Sequence, residues 1–435
     1  MTPSARITAI IDILKEFETF ARPIDRICDA YFRARRFIGG GDRRFISDLV
    51  YKIMRHKRKL DWWIGQGGFG LMPNARTNAL AALVFLERWN MDQIAGAFTD
   101  DKYASGALNE VEQKWVGRWA KSPPQILSAD MDDATKLECP AWLLPKIQEY
   151  WPNWQELLTV MQTEASVDLR VNSLRGLRDE VFAQILGALP EVEKTPYSPL
   201  GLRLKQRANL GNLEQLKDGT IEVQDEGSQL IALLCAARPG MSVLDYCAGA
   251  GGKTLALAAE MQNKGRVTAC DNHDARLKKS VQRFRRAGVH NHELKLLDKD
   301  GEKWLSRQHG RFDRVLCDVP CSGTGTWRRN PDMRHRFSEK DLAELIEVQQ
   351  NILNQTAPLV KSGGWLIYST CSILREENDA QIERFLAAHP EFALADISEP
   401  LWAWKLAPDK GFLRLNPADH ATDGFFAAVL IKVGK

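Results

Sequence analysis

Ser242-Val243-Leu244-Asp245-Tyr246-Cys247-Ala248-Gly249-Ala250-Gly251-Gly252-Lys253-Thr254 is the stretch that decides the fold. Its first four residues read as a short strand, and its glycines as a turn that hands over to a helix starting at Lys253. Glycines let a backbone turn tightly and approach a ligand without a Cβ in the way. Gly252-Lys253-Thr254 resembles the end of a Walker A loop, but the glycine such a loop needs upstream is missing at Tyr246 and Cys247. The spacing is not the dinucleotide G-x-G-x-x-G either.

Outward from this turn, helix and strand alternate. The pattern predicts helices over 225–237, 253–261 and 274–287, with strands over 242–246 and 266–270 and near 293–297, 313–317, 364–368 and 425–431. Such alternation argues an α/β fold with a doubly wound, mostly parallel sheet. Asp271 ends the strand Val267-Thr268-Ala269-Cys270. An acid there can accept hydrogen bonds from both ribose hydroxyls of an adenosine cofactor. Asp298, after the following strand, is placed for the adenine amino group. Either carboxylate alone could be a plain loop residue or helix cap. In series behind the glycine turn they favour S-adenosylmethionine. The candidate cofactor residues are Cys247, Ala248, Gly249, Ala250, Gly251, Gly252, Lys253, Asp271, Arg276, Asp298 and Asp318.

Two further strands each run into a thiol. Arg314-Val315-Leu316-Cys317 leads to Asp318-Val319-Pro320-Cys321-Ser322, and Trp365-Leu366-Ile367-Tyr368 leads to Ser369-Thr370-Cys371-Ser372. Strand ends opening into loops are where open α/β sheets carry their chemistry. A cysteine at one such place alone reads as packing; the pair together reads as covalent catalysis on an electrophilic ring. The remaining cysteines, Cys28, Cys139, Cys235, Cys270 and Cys317, read as small buried apolar side chains, and Cys247 as lining for the cofactor pocket. No pair has C-x-x-C spacing and no histidine cluster accompanies them, so neither a zinc site nor any other metal is expected.

The first 135 residues read as a helical domain. Ile7, Ile10, Ile11, Leu14 and Phe17 recur at helical spacing, as do Phe45, Leu49, Ile53 and Leu60. Gly39-Gly40-Gly41-Asp42 breaks the pattern and supplies a helix-starting aspartate. Basic residues crowd this region: Arg33, Arg35, Arg36, Arg43, Arg44, then Lys52, Arg55, His56, Lys57, Arg58 and Lys59. A charge run commonly marks a solvated helix face, but this many like charges repel one another unless an anion compensates them, which favours RNA. Residues 136–219 hold a linker and a small α+β module that starts with the strand Val167 to Asn172 and ends near 215. Residues 220–435 form the α/β domain. Three domains suit a chain of 435 residues. Its formal charge of +3 does not make the whole molecule a polycation. No apolar run approaches the ~20 residues of a membrane span. No export signal begins the chain, and the expected location is cytoplasmic.

The motifs Asp245-x-Cys247-Ala248-x-x-Gly251-Gly252-Lys253-Thr254, Asp318-x-Pro320-Cys321-Ser322-Gly323, Tyr368-Ser369-Thr370-Cys371-Ser372 and Asp423-Gly424-Phe425-Phe426 resemble, in order, those of the RsmB (Sun/Fmu)-type RNA cytosine-5 methyltransferases. Tyr31-Phe32-Arg33-Ala34-Arg35-Arg36 and Asp42-Arg43-Arg44 are similar to the NusB-like RNA-binding domain found in bacterial members, and the middle module resembles the family's small RRM-like region. Ala250 stands where the family commonly has proline; this loosens the turn and removes no ligand. The resemblance implies a Rossmann-like methyltransferase sheet using S-adenosylmethionine. It implies Cys371 as the nucleophile and Cys321 as the thiol assisting product release; spacing alone leaves their order open. It further implies Lys253 beside the target base, while Asp318 can hold the pyrimidine amino group and ring nitrogen. Arg328, Arg329 and Arg334, just after the first thiol, are expected to grip RNA phosphates, with Arg35, Arg36, Arg43 and Arg44 on the N-terminal domain.

A DNA cytosine-5 enzyme would have no need of Cys371, and an amino-methyltransferase would carry an aromatic clamp where Cys321 stands. The expected activity is therefore RNA cytosine-5 methylation, on small-subunit ribosomal RNA ahead of tRNA, by a monomer. The alternative from another class is a non-catalytic RNA-binding factor for ribosome assembly or antitermination.

Overall fold

The computed structural model describes residues 1–205 and 210–434. The chain divides into two compact units, one of Met1–Gln162 with Arg329–Phe337, the other of Thr163–Arg328 with Ser338–Lys435.

The first unit is helical. Helix Pro3–Phe17 starts where the Thr2 hydroxyl accepts the Ala5 N–H, and it buries Ile7, Ile10, Ile11, Leu14 and Phe17, the face predicted from their spacing. Asparagines 74, 90 and 109 each open a later helix through a reciprocal capping box. Asp42 is not the helix start expected of it. Gly39 occupies the cap of Gly40–Arg55, and Asp42 sits in the first turn and pairs with Arg6 at 2.7 Å. A carboxylate there still suits the positive end of the helix dipole. The unit also runs past the expected boundary at 135, to Gln162. The reason lies in its interior: Glu138 accepts the N–H groups of Arg58 and Lys59 at 2.9 and 3.0 Å. Helical packing therefore continues through 138.

The second unit contains two sheets. The smaller joins β1 (Val167–Val171), β2 (Val192–Lys194), β3 (Gly201–Leu204) and β4 (Ile221–Val223) in the order β2-β3-β1-β4, all antiparallel. Val181 and Ile185 of helix Arg178–Leu186 pack on its buried face against Leu169, Val171 and Leu202. The module thus reaches 223 rather than 215, because β4 adds to the sheet as the edge strand beside β1.

The larger sheet comprises β5 (Ser242–Asp245), β6 (Arg266–Asp271), β7 (His292–Leu296), β8 (Phe312–Asp318), β9 (Val360–Thr370), β10 (Phe392–Leu394), β11 (Leu413–Leu415) and β12 (Phe425–Lys432). The order is β10-β12-β9-β8-β5-β6-β7, with β11 also on β12. From β9 to β7 all neighbours are parallel, and β12 returns antiparallel beside β9. The chain winds from β5 to β7 in one direction, then crosses over to β8 and β9 on the other side. The carboxyl ends of β5 and β8 therefore flank a topological switch point, the crevice where such sheets bind ligands. Central strands buried on both faces explain the continuous apolar runs Val315-Leu316-Cys317 and Leu366-Ile367-Tyr368.

Candidate active site

Every strand bordering the switch point ends in chemistry. At β5, buried Asp245 accepts the Thr254 hydroxyl at 2.7 Å, tying the strand end to the helix Gly252–Glu260. Burial first, then the charges of Asp318 and Asp271, push the Asp245 carboxyl up to about 7. The turn between them passes through Gly251 at φ 79°, where an added Cβ would meet the Phe284 ring at 2.6 Å. Glycine is thus required both by the left-handed backbone and by the packing of helix Asp274–Ala287 behind it.

At β6, Asp271 accepts the Gly249 N–H at 2.8 Å and the His273 N–H at 2.8 Å. It lines a cavity of ≈ 600 Å³ together with Tyr246, Cys247, Asn272, Arg276, Leu297, Glu302, Asp318, Val319, Pro320, Val348, Asn351, Ile352 and Gln355. Leu297, Val319, Pro320 and Ile352 give the cavity apolar lining and Asp271, Glu302 and Asp318 give it carboxylates, the two kinds of surface that the flat base and the diol of an adenosine need. Cys247, Asp271, Arg276 and Asp318 line this cavity, while Gly249 and Ala248 shape the turn. Asp298 does not. Its Oδ1 accepts the N–H groups of Asp300 and Gly301 at 3.1 and 2.9 Å, capping helix Lys299–Leu305. Leu297 and Glu302 on either side of it face the cavity instead. A short βα loop favours Asp as a cap. Asn351 and Gln355, one turn apart on helix Glu339–Thr356, were missed; their i, i+4 spacing was the available signal.

At β8 and β9 the thiols meet. Asp318 lies opposite Ser369 in the parallel register, and the Ser369 hydroxyl donates to Asp318 at 3.0 Å. Lys253 Nζ lies 2.6 Å from the other Asp318 oxygen. Burial works against the Lys253 ammonium, but Asp318 beside it, with Asp245 and Cys371, carries its pKa above the ordinary lysine value. Just beyond, Cys321 Sγ and Cys371 Sγ are 3.3 Å apart, both thiols free and half-buried. The contact with Cys371, then burial, then the charge of Glu377 push the Cys321 thiol well above its usual range. Lys253, Asp318, Cys321 and Cys371 are thus assembled within one site from three sequence-distant segments. Cys28, Cys139, Cys235, Cys270 and Cys317 are buried, as expected of packing cysteines.

The expected RNA-gripping arginines divide. Arg36 and Arg44 are exposed. Arg35 lies over the Tyr31 ring, 3.8 Å from its centroid, and Arg43 donates to the Ile38 carbonyl at 2.8 Å. Arg328 is half-buried and donates to the Glu164 carbonyl at 2.9 Å, and Arg329 is half-buried too. Arg334 is a correction. It is 1% exposed and donates to the carbonyls of Glu138 and Met161 at 3.3 and 3.1 Å, so it packs inside the helical unit and meets no phosphate. Arg55 and Lys59 of the N-terminal basic run are buried as well. A charge count cannot tell a solvated cation from one answering an interior carbonyl.

Residues 232–431 match the family model of the 16S rRNA methyltransferases RsmB/F, and residues 139–211 match the ferredoxin-like domain of the same proteins. A probable ribosomal RNA small subunit methyltransferase B from Synechocystis is 34% identical over 417 residues, covering 90% of this chain and 91% of that one. The chain belongs to the RsmB/F methyltransferase family. The ribosomal RNA small subunit methyltransferase B of Klebsiella pneumoniae is 30% identical, with 90% of both chains covered. Among solved structures, PH0851 superposes with a TM-score of 0.76 at 26% identity over 99% of both chains. NSun6 from Pyrococcus horikoshii, solved with SFG, shares the fold at 19% identity and a TM-score of 0.60, covering 68% of this chain and 99% of its own. The RsmB/F methyl donor is S-adenosylmethionine, and the carboxylate of Asp271 and the apolar residues that line the same cavity suit that molecule. Among the described residues no helix is long and apolar enough to cross a membrane.

Proposed function

We propose that this RsmB/F protein methylates carbon 5 of a cytosine in small-subunit ribosomal RNA through a covalent adduct at carbon 6. The observation carrying this reading is the pair of thiols 3.3 Å apart beside the Lys253–Asp318 pair. S-adenosylmethionine, when bound, supplies the methyl group as a sulfonium electrophile. Cys371 Sγ, as thiolate, adds to carbon 6 and makes carbon 5 enamine-like, able to attack that electrophile. Asp318 accepts a hydrogen bond from the amino group and, as a proton reaches the ring nitrogen, pairs with the N–H formed there, which neutralises the charge that addition moves onto the ring. Lys253 holds Asp318 in place and offers positive charge beside the attacking sulfur. Loss of the carbon-5 proton to a base then expels Cys371 as thiolate and restores the aromatic ring, with Cys321 assisting this release.

The target base must leave any helical stack to reach a half-buried thiol, so a single-stranded or flipped cytosine is the substrate. Exposed Arg36 and Arg44, with half-buried Arg35, Arg43, Arg328 and Arg329, are the proposed phosphate contacts. The protein works in the cytoplasm as a monomer and without a metal. Bisulfite sequencing of RNA from cells with and without the gene tests the reaction: one cytosine should lose protection in its absence. If no cytosine does, the cytosine-5 reading fails, and a protected position in tRNA would move the substrate. Cys321→Ala should accumulate a covalent RNA adduct and Cys371→Ala should form none; the reverse would exchange their roles.

A further inference from the structure

Glu377 is fully buried, 0% exposed, in the turn six residues past Cys371. Among the described residues no lysine, arginine or histidine pairs with it. Its oxygens are answered by neutral donors instead. Oε1 accepts the Ser322 N–H at 2.8 Å and the Gln349 amide at 2.9 Å. Oε2 accepts the Ser322 hydroxyl at 2.5 Å and the Ser372 hydroxyl. Isolating a carboxylate from water costs several kcal/mol unless hydrogen bonds replace its hydration.

The donors are the residues that flank the thiols. Ser322 follows Cys321 and Ser372 follows Cys371. On the preceding sides, Gln349 also donates to the Pro320 carbonyl at 3.0 Å. Asn378, next to Glu377, accepts the Thr370 hydroxyl at 2.6 Å and donates to the Ser372 carbonyl at 2.9 Å. Tyr368 closes the frame from the strand, its hydroxyl donating to the Glu377 carbonyl at 2.7 Å. Both neighbours of each cysteine are therefore fixed through one buried turn.

We infer that Glu377 is a positioning residue for the two-thiol site: its carboxylate cross-links the loops that carry Cys321 and Cys371 and holds the thiols in register for addition and release. This rests on the covalent reading above. The same negative charge lies among the causes that keep Cys321 a thiol, after the Cys371 contact and burial. It thereby helps separate a protonated Cys321 from an attacking Cys371.

Glu377→Gln tests the inference with the full-length protein. The amide can turn its NH2 toward the serine hydroxyls, which rotate to accept, so contacts persist while the charge goes. Single-turnover methylation of transcribed 16S rRNA should slow by about tenfold or more, with KM for RNA and for S-adenosylmethionine changed less than about threefold. Iodoacetamide labelling of Cys321, read by peptide mass spectrometry, should accelerate severalfold, since loss of a nearby negative charge favours the thiolate. A residue serving stability alone would lower Tm and leave the labelling rate unmoved. A folded Glu377→Gln protein with wild-type rate and labelling overturns the inference. If that variant does not fold, Ser372→Ala decides: it removes one arm of the clamp and should slow turnover, whereas an unchanged rate overturns the role. Wild type assayed alongside for 5-methylcytosine separates the two claims. Its failure there sinks the covalent reading, and Cys321 labelling still judges Glu377.

Discussion

Cys321 and Cys371, 50 residues apart in the chain, have their sulfurs 3.3 Å from one another. The parallel register makes this unavoidable. Asp318 pairs with Ser369, so the loops leaving β8 and β9 start level, and three residues on one side meet two on the other. The serines beside each cysteine are then drawn to the same buried carboxylate.

Two free thiols at that separation should be oxidised to a disulfide by diamide, which takes up the two electrons and two protons released. Treated wild type is expected to show two fewer thiols than its eight cysteines when denatured and titrated with DTNB, and to lose methylation until dithiothreitol is added. Cys371→Ser should lose none under the same treatment. A treated wild type retaining all eight reactive thiols contradicts the geometry.

The sheet and the thiol pair were legible because each rests on a local pattern: apolar strands of buried residues, glycines where a turn must be left-handed, cysteines at strand ends. What escaped depended on partners far away in sequence. Asp298 reads equally as a cofactor ligand or a helix cap, and that it does cap follows from the position of the Asp300 and Gly301 N–H groups. Arg334 reads like its basic neighbours in sequence, yet carbonyls 196 and 173 residues distant claim it. Glu377 stood beside Glu376 in an ordinary charged turn; its burial follows from Ser322, 55 residues upstream.

Gly325 is packed against the backbone of Gly424. It donates to the Cys371 carbonyl at 3.0 Å, and its own carbonyl accepts the Gly424 N–H at 2.8 Å. A Cβ on Gly325 would lie 2.2 Å from the Gly424 carbonyl oxygen, with backbone rather than a flexible side chain in the way. Gly325→Ala should therefore push the Cys321 loop away from Cys371. Overpacking of this kind costs about 1–3 kcal/mol, visible as a lower urea midpoint. The expected activity loss is about tenfold or more, because thiol registration is disturbed directly. Wild-type turnover in this variant would mean that the loop tolerates displacement.

Asp245 gives the fold a pH dependence of unusual sign. Its carboxyl is raised from an ordinary 3.8 to about 7, mainly by burial, and among the described residues its Oδ1 has no hydrogen-bond partner. In that interval the folded protein keeps a proton that the unfolded chain has released. Stability from this group is full below the ordinary value, falls as pH rises through the interval, and is gone above about 7. Asp245→Asn keeps an oxygen for Thr254 and cannot ionise. Its Tm should decline less than that of wild type between about pH 5 and about pH 8. Parallel Tm curves for the two proteins would show that Asp245 is ionised throughout.

Inside the helical unit, Glu138 is 0% exposed, with Lys59 Nζ at 3.8 Å. Burial pushes its carboxyl up, and Lys59 and Arg334 oppose that. Removing one member leaves a buried charge without its complement, a loss of about 3–5 kcal/mol. Lys59→Met and Glu138→Gln should each destabilise the protein in urea, and the double variant should cost less than their sum. Arg334→Met belongs to the same set: it should lower the midpoint and leave RNA affinity per folded molecule unchanged. Arg44→Ala should do the opposite, weakening RNA binding with a shallower salt dependence and an unchanged midpoint. An Arg334→Met protein as stable as wild type but poor at binding RNA would return that arginine to the RNA surface.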